Sequence, residues 1–361
     1  MAGCTVLVTA DRRSGDLAVA LERRGATVRH APACSIVPHA DDDALLAATR
    51  ALVAAPPDIL VATTGVGFRA WIEAADAHGL HADVLTALAG TRILARGPKA
   101  RGAIQAAGLT AAWVAESETS AEIAELLLGE GVAGRRVAVQ QHGAGADGLD
   151  DALVAAGADV TNLVTYRWGP PADPAALQAS VWAVAEGEVD AVVFTSAPGA
   201  EAWLRAVEDE GLLAAVVERC ASGRLLVGAV GPVTAAPLER RGIAPVQPDR
   251  ARLGALVRAV VAYYEQTVPV ATVAGPLVVR ARTAVLGGRV LPLASTGVEI
   301  LRLLASAPGA VLSRDQVLDA LPGGSRDPHA VEVAVARTRE AAGRKDLIRT
   351  VVKRGYTLAL A

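Results

Sequence analysis

The chain has 361 residues, about half of them hydrophobic, and a formal net charge of −3. That length predicts two or three domains with ample core, and no uninterrupted apolar run approaches the roughly 18–20 residues needed to cross a bilayer. The first strand is not preceded by a basic leader, Cys4, Cys34 and Cys220 have no pairing or CxxC pattern, and the histidines have no metal spacing. The expectation is a cytoplasmic protein that uses no membrane, disulfide or metal.

In chain order, 5–9 reads as a strand and 15–24 as an amphipathic helix closed by Gly25. A strand over 27–30 leads into Pro32 and the Ser35-Ile36-Val37-Pro38 segment, where prolines interrupt regular structure. A helix over 41–54, acidic at its start, precedes Asp58-Ile59-Leu60-Val61-Ala62-Thr63-Thr64-Gly65, a fully apolar strand that ends in a hydroxyl pair and a small-residue turn. Strand 92–95, the Gly97-Pro98-Lys99-Ala100 turn and a helix to Ala107 follow, then a helix capped within 117–122. A strand from Arg135 enters a loop with Gly143, Gly145 and Gly148, which suits close backbone approach to a ligand but matches no dinucleotide fingerprint.

The strand–hydroxyl–helix block then returns. Asp190, Thr195, Ser196 and Trp203 repeat Asp58, Thr63, Thr64 and Trp71 at a constant offset of 132 residues, and Gly231-Pro232-Val233-Thr234 answers Gly97-Pro98-Lys99-Ala100 at nearly that offset. A duplicated α/β unit therefore underlies most of the chain. Each hydroxyl pair falls where a strand gives way to a helix, and there free N–H groups and the positive dipole end can hold an anion. The bland alternative is that the hydroxyls are ordinary N-caps. Trp71 and Trp203 are expected in the core. A helix over 253–265 closes the cycle, and 267–276, with Pro269, Gly275 and Pro276, reads as a linker.

Charge is divided unevenly. Between 277 and 361 there are 13 Arg/Lys against 7 Asp/Glu, a net +6, and the rest of the chain carries −9. Such a basic tail suggests a polyanionic partner. The tail reads as short strands with a Gly287-Gly288 turn, a helix capped by Ser295 or Thr296, a second helix opening at Ser313, a third at Asp327-Pro328, and a terminal hairpin around Gly355. Val331, Val333 and Val335 are expected to face inward, and Tyr356 to plug the core beneath the hairpin.

Strand–Thr-Ser–helix, strand–Gly-Pro-X-Thr–helix and the mid-chain Val164-Thr165-Tyr166 resemble uroporphyrinogen-III synthase over about residues 1–266. The resemblance implies two similar parallel-sheet α/β domains joined by a two-strand connector. Domain one would be discontinuous, at 1–35 and 168–266, and domain two would span 38–165, with crossovers at 35–38 and 163–167. It also implies a cofactor-free conversion of hydroxymethylbilane, an octacarboxylate, to uroporphyrinogen III in an interdomain cleft. Thr63, Thr64, Thr195, Ser196 and Thr234 would bind substrate. Lys99 stands in a turn that lacks the family's hydroxyl, and Tyr166 would assist hydroxyl loss as a general acid.

Residues 277–361 resemble the winged helix-turn-helix domain of OmpR-type response regulators, through the Gly297-Val298-Glu299-Ile300-Leu301, Val311-Leu312-Ser313-Arg314 and Arg354-Gly355-Tyr356 blocks. That resemblance implies binding to double-stranded DNA. His329 and Arg337 are then candidates near bases, and Arg339, Arg344, Lys345, Lys353 and Arg354 at phosphates. For each of these residues a solvated surface role, or for Arg339 a pair with Glu340 or Asp346, is the competing reading. Together the two resemblances imply a transcriptional regulator that senses a small ligand or tetrapyrrole precursor, with a homodimer on DNA as one arrangement. The alternatives are a working synthase with an accessory DNA-binding domain, and a synthase fold kept only to bind a protein partner.

Overall fold

The computed structural model describes residues 1–11, 14–38, 43–141, 148–321 and 328–361. The chain opens with β1 (Thr5–Val8), α1 (Ser14–Glu22) and β2 (Thr27–His30). It continues through β3 (Ser35–Pro38), α2 (Asp43–Ala54), β4 (Ile59–Ala62), α3 (Gly65–Ala77), α4 (His81–Leu88), β5 (Arg92–Ala95), α5 (Pro98–Ala106), β6 (Trp113–Val114), α6 (Ser120–Glu130), β7 (Arg136–Gln141), α7 (Leu149–Ala155), β8 (Asp159–Val164) and β9 (Tyr166–Gly169). Next come α8 (Pro174–Ala185), β10 (Ala191–Phe194), α9 (Ala197–Asp209), α10 (Leu213–Ala221), β11 (Leu226–Ala229), α11 (Pro232–Glu239) and α12 (Leu253–Glu265). The last part holds β12 (Val270–Thr272), β13 (Gly275–Val279), β14 (Ala284–Leu286), β15 (Arg289–Val290), α13 (Ser295–Ser306), α14 (Arg314–Asp319), α15 (Pro328–Ala342), β16 (Ile348–Val351) and β17 (Gly355–Leu358).

Two compact units result. Ser35–Gly169 forms an inserted unit, and Met1–Cys34 with Pro170–Ala361 forms an outer unit. In the inserted unit, five parallel strands lie in the order β6-β5-β4-β7-β8. Every residue of β4 is buried, as a parallel strand covered by helices on both faces requires. One face packs Leu45, Leu52, Phe68, Trp71 and Ile104, and the other packs Ile123, Leu127, Leu149 and Leu153. The connector ribbon pairs β3 with β9 antiparallel, Ser35 opposite Gly169 and Pro38 opposite Tyr166. The second crossover strand was expected at 163–167; Leu163 and Val164 instead complete β8 beside β7, so the ribbon begins at Tyr166.

The outer unit carries a parallel sheet ordered β11-β10-β1-β2. Val181, Val184, Trp203, Leu204 and Val207 cover one face; Leu17, Leu21, Leu256 and Val260 cover the other. The winged helix belongs to this same unit. Its core gathers Leu277, Leu286, Ile300, Leu301, Leu304, Val317, Val331, Val335 and Tyr356. Part of the stretch read as a linker is a strand, because β12 pairs antiparallel with β13, Val270 opposite Leu277. Helix α13 starts after Ala294 without a side-chain cap, so neither Ser295 nor Thr296 serves as one. Ser313 closes a capping box with Gln316 at the start of α14. Val333, expected inward, is exposed, because Val331 and Val335 one turn apart already take the buried stripe of α15. The loop glycines Gly143 and Gly145 and the helix start at Asp327 lie outside the described residues.

Candidate functional site

In the inserted unit the hydroxyl pair divides its work. The Thr63 hydroxyl is buried and donates to the Gln140 carbonyl at 2.6 Å, tying the end of β4 to β7. Thr64, half-buried, caps α3: its Oγ1 accepts from the Gly67 N–H at 3.0 Å, which leaves its own O–H to donate. The Gln140 side chain accepts from the Thr64 N–H at 3.1 Å, so one amide of the helix start is already taken. A Cβ at Gly67 would displace the Gln140 side-chain amide and lie 2.8 Å from Thr165 Oγ1, so glycine there leaves room for the Gln140–Thr64 contact. Gly65 is under the same constraint, because a Cβ would overlap the Lys99 carbonyl at the start of α5. The Lys99 side chain is exposed. Tyr166 is buried, with its ring edge-to-face against Trp168 at 6.0 Å. Sequence reasoning missed Gln140, although two glutamines closing an apolar strand were visible.

The outer unit repeats the cap. Ser196 Oγ accepts from the Gly199 N–H at 3.2 Å, and Thr195 beside it is half-buried. Thr234 lies buried in the first turn of α11, its N–H on the Gly231 carbonyl at 3.0 Å. Val233, in the place of Lys99, is 64% exposed, so the start of α11 shows solvent an apolar side chain where α5 shows a cation. Both α3 and α9 thus end a buried strand with a hydroxyl-capped N-terminus, the arrangement that favours negative charge.

In the winged helix the expected cations fall into two groups. Arg339 bridges α15 to the hairpin, donating to the Ile348 carbonyl at 2.6 and 2.9 Å and to Thr350 Oγ1 at 2.9 Å. The Arg339 bonds thus run to the hairpin and not to Glu340 or Asp346, the intradomain pair that is the alternative to a phosphate contact. Arg344 pairs with Asp346 at 2.7 Å, and its guanidinium stays protonated above its ordinary range through that hydrogen bond. Arg337, Lys345, Lys353 and Arg354 are exposed. His329 is exposed and touches Glu332 at 3.3 Å, and Glu332 also pairs with Arg314 at 2.5 Å. Gly355, with φ of +131°, has no room for a Cβ against the Leu312 carbonyl, and Lys353 at the hairpin tip also has positive φ, +60°. Arg349 and Val352 are exposed on the same hairpin and were not singled out from sequence.

Cys4 and Cys34 are buried and Cys220 is partly so; burial pushes their thiols up to about 12, 11 and 11. Such thiols are poor nucleophiles at neutral pH. Among the described residues, no His, Cys, Asp and Glu cluster could hold a metal ion, and no helix is long and apolar enough to cross a membrane.

The family profile described as Uroporphyrinogen-III synthase HemD matches residues 15–258, and that described as Transcriptional regulatory protein, C terminal, matches 288–358. A mutant uroporphyrinogen III synthase from the extremely thermophilic bacterium Thermus thermophilus is similar in structure, with a TM-score of 0.60 and 30% identity; the match covers 73% of this chain and all of that one. The uncharacterized protein YjjA of Bacillus subtilis (strain 168) is 29% identical over 210 residues, 58% of this chain and 77% of its own length. The Klebsiella pneumoniae RstA DNA-binding domain, solved in complex with the RstA box, is 30% identical over 23% of this chain and 90% of its own, with a TM-score of 0.21. The chain belongs to the uroporphyrinogen-III synthase family and carries, in the same polypeptide, an OmpR-type DNA-binding domain.

Proposed function

We propose that this chain is a cytoplasmic DNA-binding transcriptional regulator whose synthase-like part binds an anionic small ligand, a polycarboxylate of the tetrapyrrole-precursor class. The observation that carries the reading is the division of cations in the winged helix. Arg339 is turned onto the hairpin and Arg344 is paired with Asp346 at the surface, while Arg337, Lys345, Lys353 and Arg354 stay exposed on α15 and around the hairpin. Arg337 and His329 are assigned to bases, and Lys345, Lys353 and Arg354 to phosphates, because solvated cations can exchange water and counterions for phosphate oxygens. The repeated caps at Thr64 and Ser196, with Thr195, Thr234 and Lys99 beside helix starts, are assigned to carboxylates of the ligand. A homodimer on DNA would place two copies on one duplex, with half-site spacing set by the dimer's geometry.

Fluorescence anisotropy on duplex DNA tests the first part. The logarithm of the affinity should fall linearly with the logarithm of salt concentration, by about 0.9 in slope for each phosphate neutralised. The Lys353→Ala, Arg354→Ala double variant should show the smaller slope, and a salt-insensitive interaction would remove the DNA assignment.

A second reading, an active synthase, is supported by Tyr166 at the start of β9, whose phenol would serve as the general acid. Purified protein supplied with hydroxymethylbilane decides it. Isomer III formed by the wild type and slowed in Tyr166→Phe makes the chain both enzyme and regulator. Formation of spontaneous isomer I alone means the fold is used for binding.

A further inference from the structure

The two copies of the strand-start aspartate are not used alike. Asp58 accepts the N–H of Arg136, first residue of the neighbouring β7, at 2.9 Å. Asp190 does the same work in the outer unit, accepting the N–H of Thr5 at the start of β1 at 2.8 Å. Its second oxygen, however, accepts the N–H of Ala281 at 2.7 Å, and Ala281 lies in the turn between β13 and β14 of the DNA-binding domain. One buried carboxylate therefore joins the two strands of the sheet to the winged helix.

The surroundings reinforce the join. The Tyr264 hydroxyl donates to the Asp190 carbonyl at 2.7 Å, and the Arg280 guanidinium stacks 4.7 Å from the Tyr264 ring centroid. Arg302 of α13 donates to the Arg280 and Ala281 carbonyls at 2.9 and 3.1 Å, fixing the turn from the DNA-binding side. Glu188, two residues before Asp190, receives Arg29 of β2 at 2.9 Å and Arg282 of the turn at 2.5 Å. Gly3 packs so closely that a Cβ there would sit 2.8 Å from the Thr283 methyl. A domain attached only by a tether has none of these contacts.

The place of the join matters as much as its strength. Asp190 precedes β10, and β10 ends at Phe194, directly before Thr195 and Ser196, the cap of α9. All four residues of β10 are buried, and the strand pairs with β1 on one side and β11 on the other. A strand of four residues spans roughly 13 Å, and one packed on both edges and both faces moves as a piece rather than bending.

We infer that Asp190 is a latch that locks the DNA-binding domain onto its α/β sheet, and that β10 joins this latch to the Ser196-capped helix start at the strand's other end. The coupling half rests on the ligand role proposed for that helix start; the latch half does not.

Hydrogen exchange on the full chain tests both halves without any ligand, so its outcome is independent of the DNA and hydroxymethylbilane assays. In the wild type the Ala281 amide should be protected. Asp190→Asn places an amide group where one of the two N–H donors needs an acceptor, and should speed exchange at Ala281 roughly tenfold, while the Leu301 and Leu304 amides of the winged-helix core stay unchanged. If that variant loosens the whole sheet, seen as fast exchange throughout β1 and β10, the half-exposed Arg282→Ala variant decides. It removes only the Glu188 tie and should still accelerate Ala281 by a smaller factor. An unprotected Ala281 in the wild type, or no acceleration in either variant, overturns the latch. Ser196→Ala, at the far end of β10, should also raise exchange at Ala281, and an unchanged rate there overturns the coupling.

Discussion

The two α/β sheets are copies whose interiors agree closely and whose edges do not. Inside, Trp71 and Trp203 are both fully buried, and each donates its indole N–H to a hydroxyl on the helix across the core: Thr49 at 3.0 Å in the inserted unit and Ser180 at 3.3 Å in the outer one. Those hydroxyls in turn donate to carbonyls one turn earlier, Leu45 and Leu177, both at 2.7 Å. At the strand ends the copies part. Gln140 in the inserted unit reaches over to the Thr64 amide, whereas Thr9, at the same ladder position of the outer sheet, spends its hydroxyl on the Val193 carbonyl at 3.0 Å. A duplicated core keeps its shape because packing and buried donors leave few substitutes. Strand ends face loops and partners, so each copy is free to take up a different task.

The largest effect should come from the shared interior. Trp71→Ala and Trp203→Ala should each cost about 3–5 kcal/mol, read as loss of one unfolding transition in denaturant while the other unit's transition persists. If both variants abolish both transitions, the units are not separately cooperative.

Gly65 and Ala197 occupy equivalent positions, and the copies differ there sharply. Gly65→Ala drives a methyl into the Lys99 carbonyl and should cost about 1–3 kcal/mol. Ala197→Gly, in a helix start that already accommodates a Cβ, should cost no more than about 1 kcal/mol. Equal effects in thermal unfolding would mean that the two helix starts pack alike.

The caps predict a smaller and symmetrical loss. Thr64→Ala and Ser196→Ala each remove an oxygen that accepts a glycine N–H at the third helical position. Each should lower stability by about 1 kcal/mol. A much larger loss at Thr64 would point to the Gln140 network as the true support.

The smallest effect is a pH dependence of opposite sign at two carboxylates of the outer unit. Burial holds the Asp190 carboxyl above the ordinary aspartate range, with the Thr5 and Ala281 N–H groups and the Arg280 and Arg302 charges opposing it. The folded chain then binds this proton more tightly than the unfolded one. Its stabilising contribution is complete below the ordinary aspartate range and is lost as pH rises through the elevated value. Glu201 behaves in reverse: hydrogen bonds from Arg241 hold it low, with burial opposing. Its contribution is present above the ordinary glutamate range and is lost as pH falls through the lowered value. Melting temperatures across pH about 3–7 should therefore be less acid-sensitive in Glu201→Gln than in the wild type, and no less so in Asp190→Asn.

The local geometry of the candidate site was partly legible in the sequence, for identifiable reasons. The 132-residue repeat marks Thr63, Thr64, Thr195 and Ser196 because a hydroxyl at a strand-to-helix junction is a local feature, and the chain carries it twice. The basic tail and its Arg354-Gly355-Tyr356 block mark the winged helix for the same reason, since Gly355 answers a steric demand at a single turn. The roles of individual arginines were not legible. Arg339 is turned inward by the Ile348 carbonyl, nine residues away in the hairpin, and no spacing rule anticipates which acceptors a fold will bring beside a guanidinium. The stretch 267–276 has no periodicity, yet Val270–Thr272 becomes a strand because β13 offers it an edge.

The duplicated α/β plan, the buried strands, the hydroxyls at the two strand-to-helix junctions and the basic tail are written in short stretches of sequence, because periodicity and turn glycines act over a few residues. That Asp190, equivalent in the repeat to Asp58, also holds Ala281, 91 residues further on, follows from tertiary packing alone. A carboxylate has two oxygens. The local strand pairing uses one, and what meets the other depends on where the rest of the chain packs.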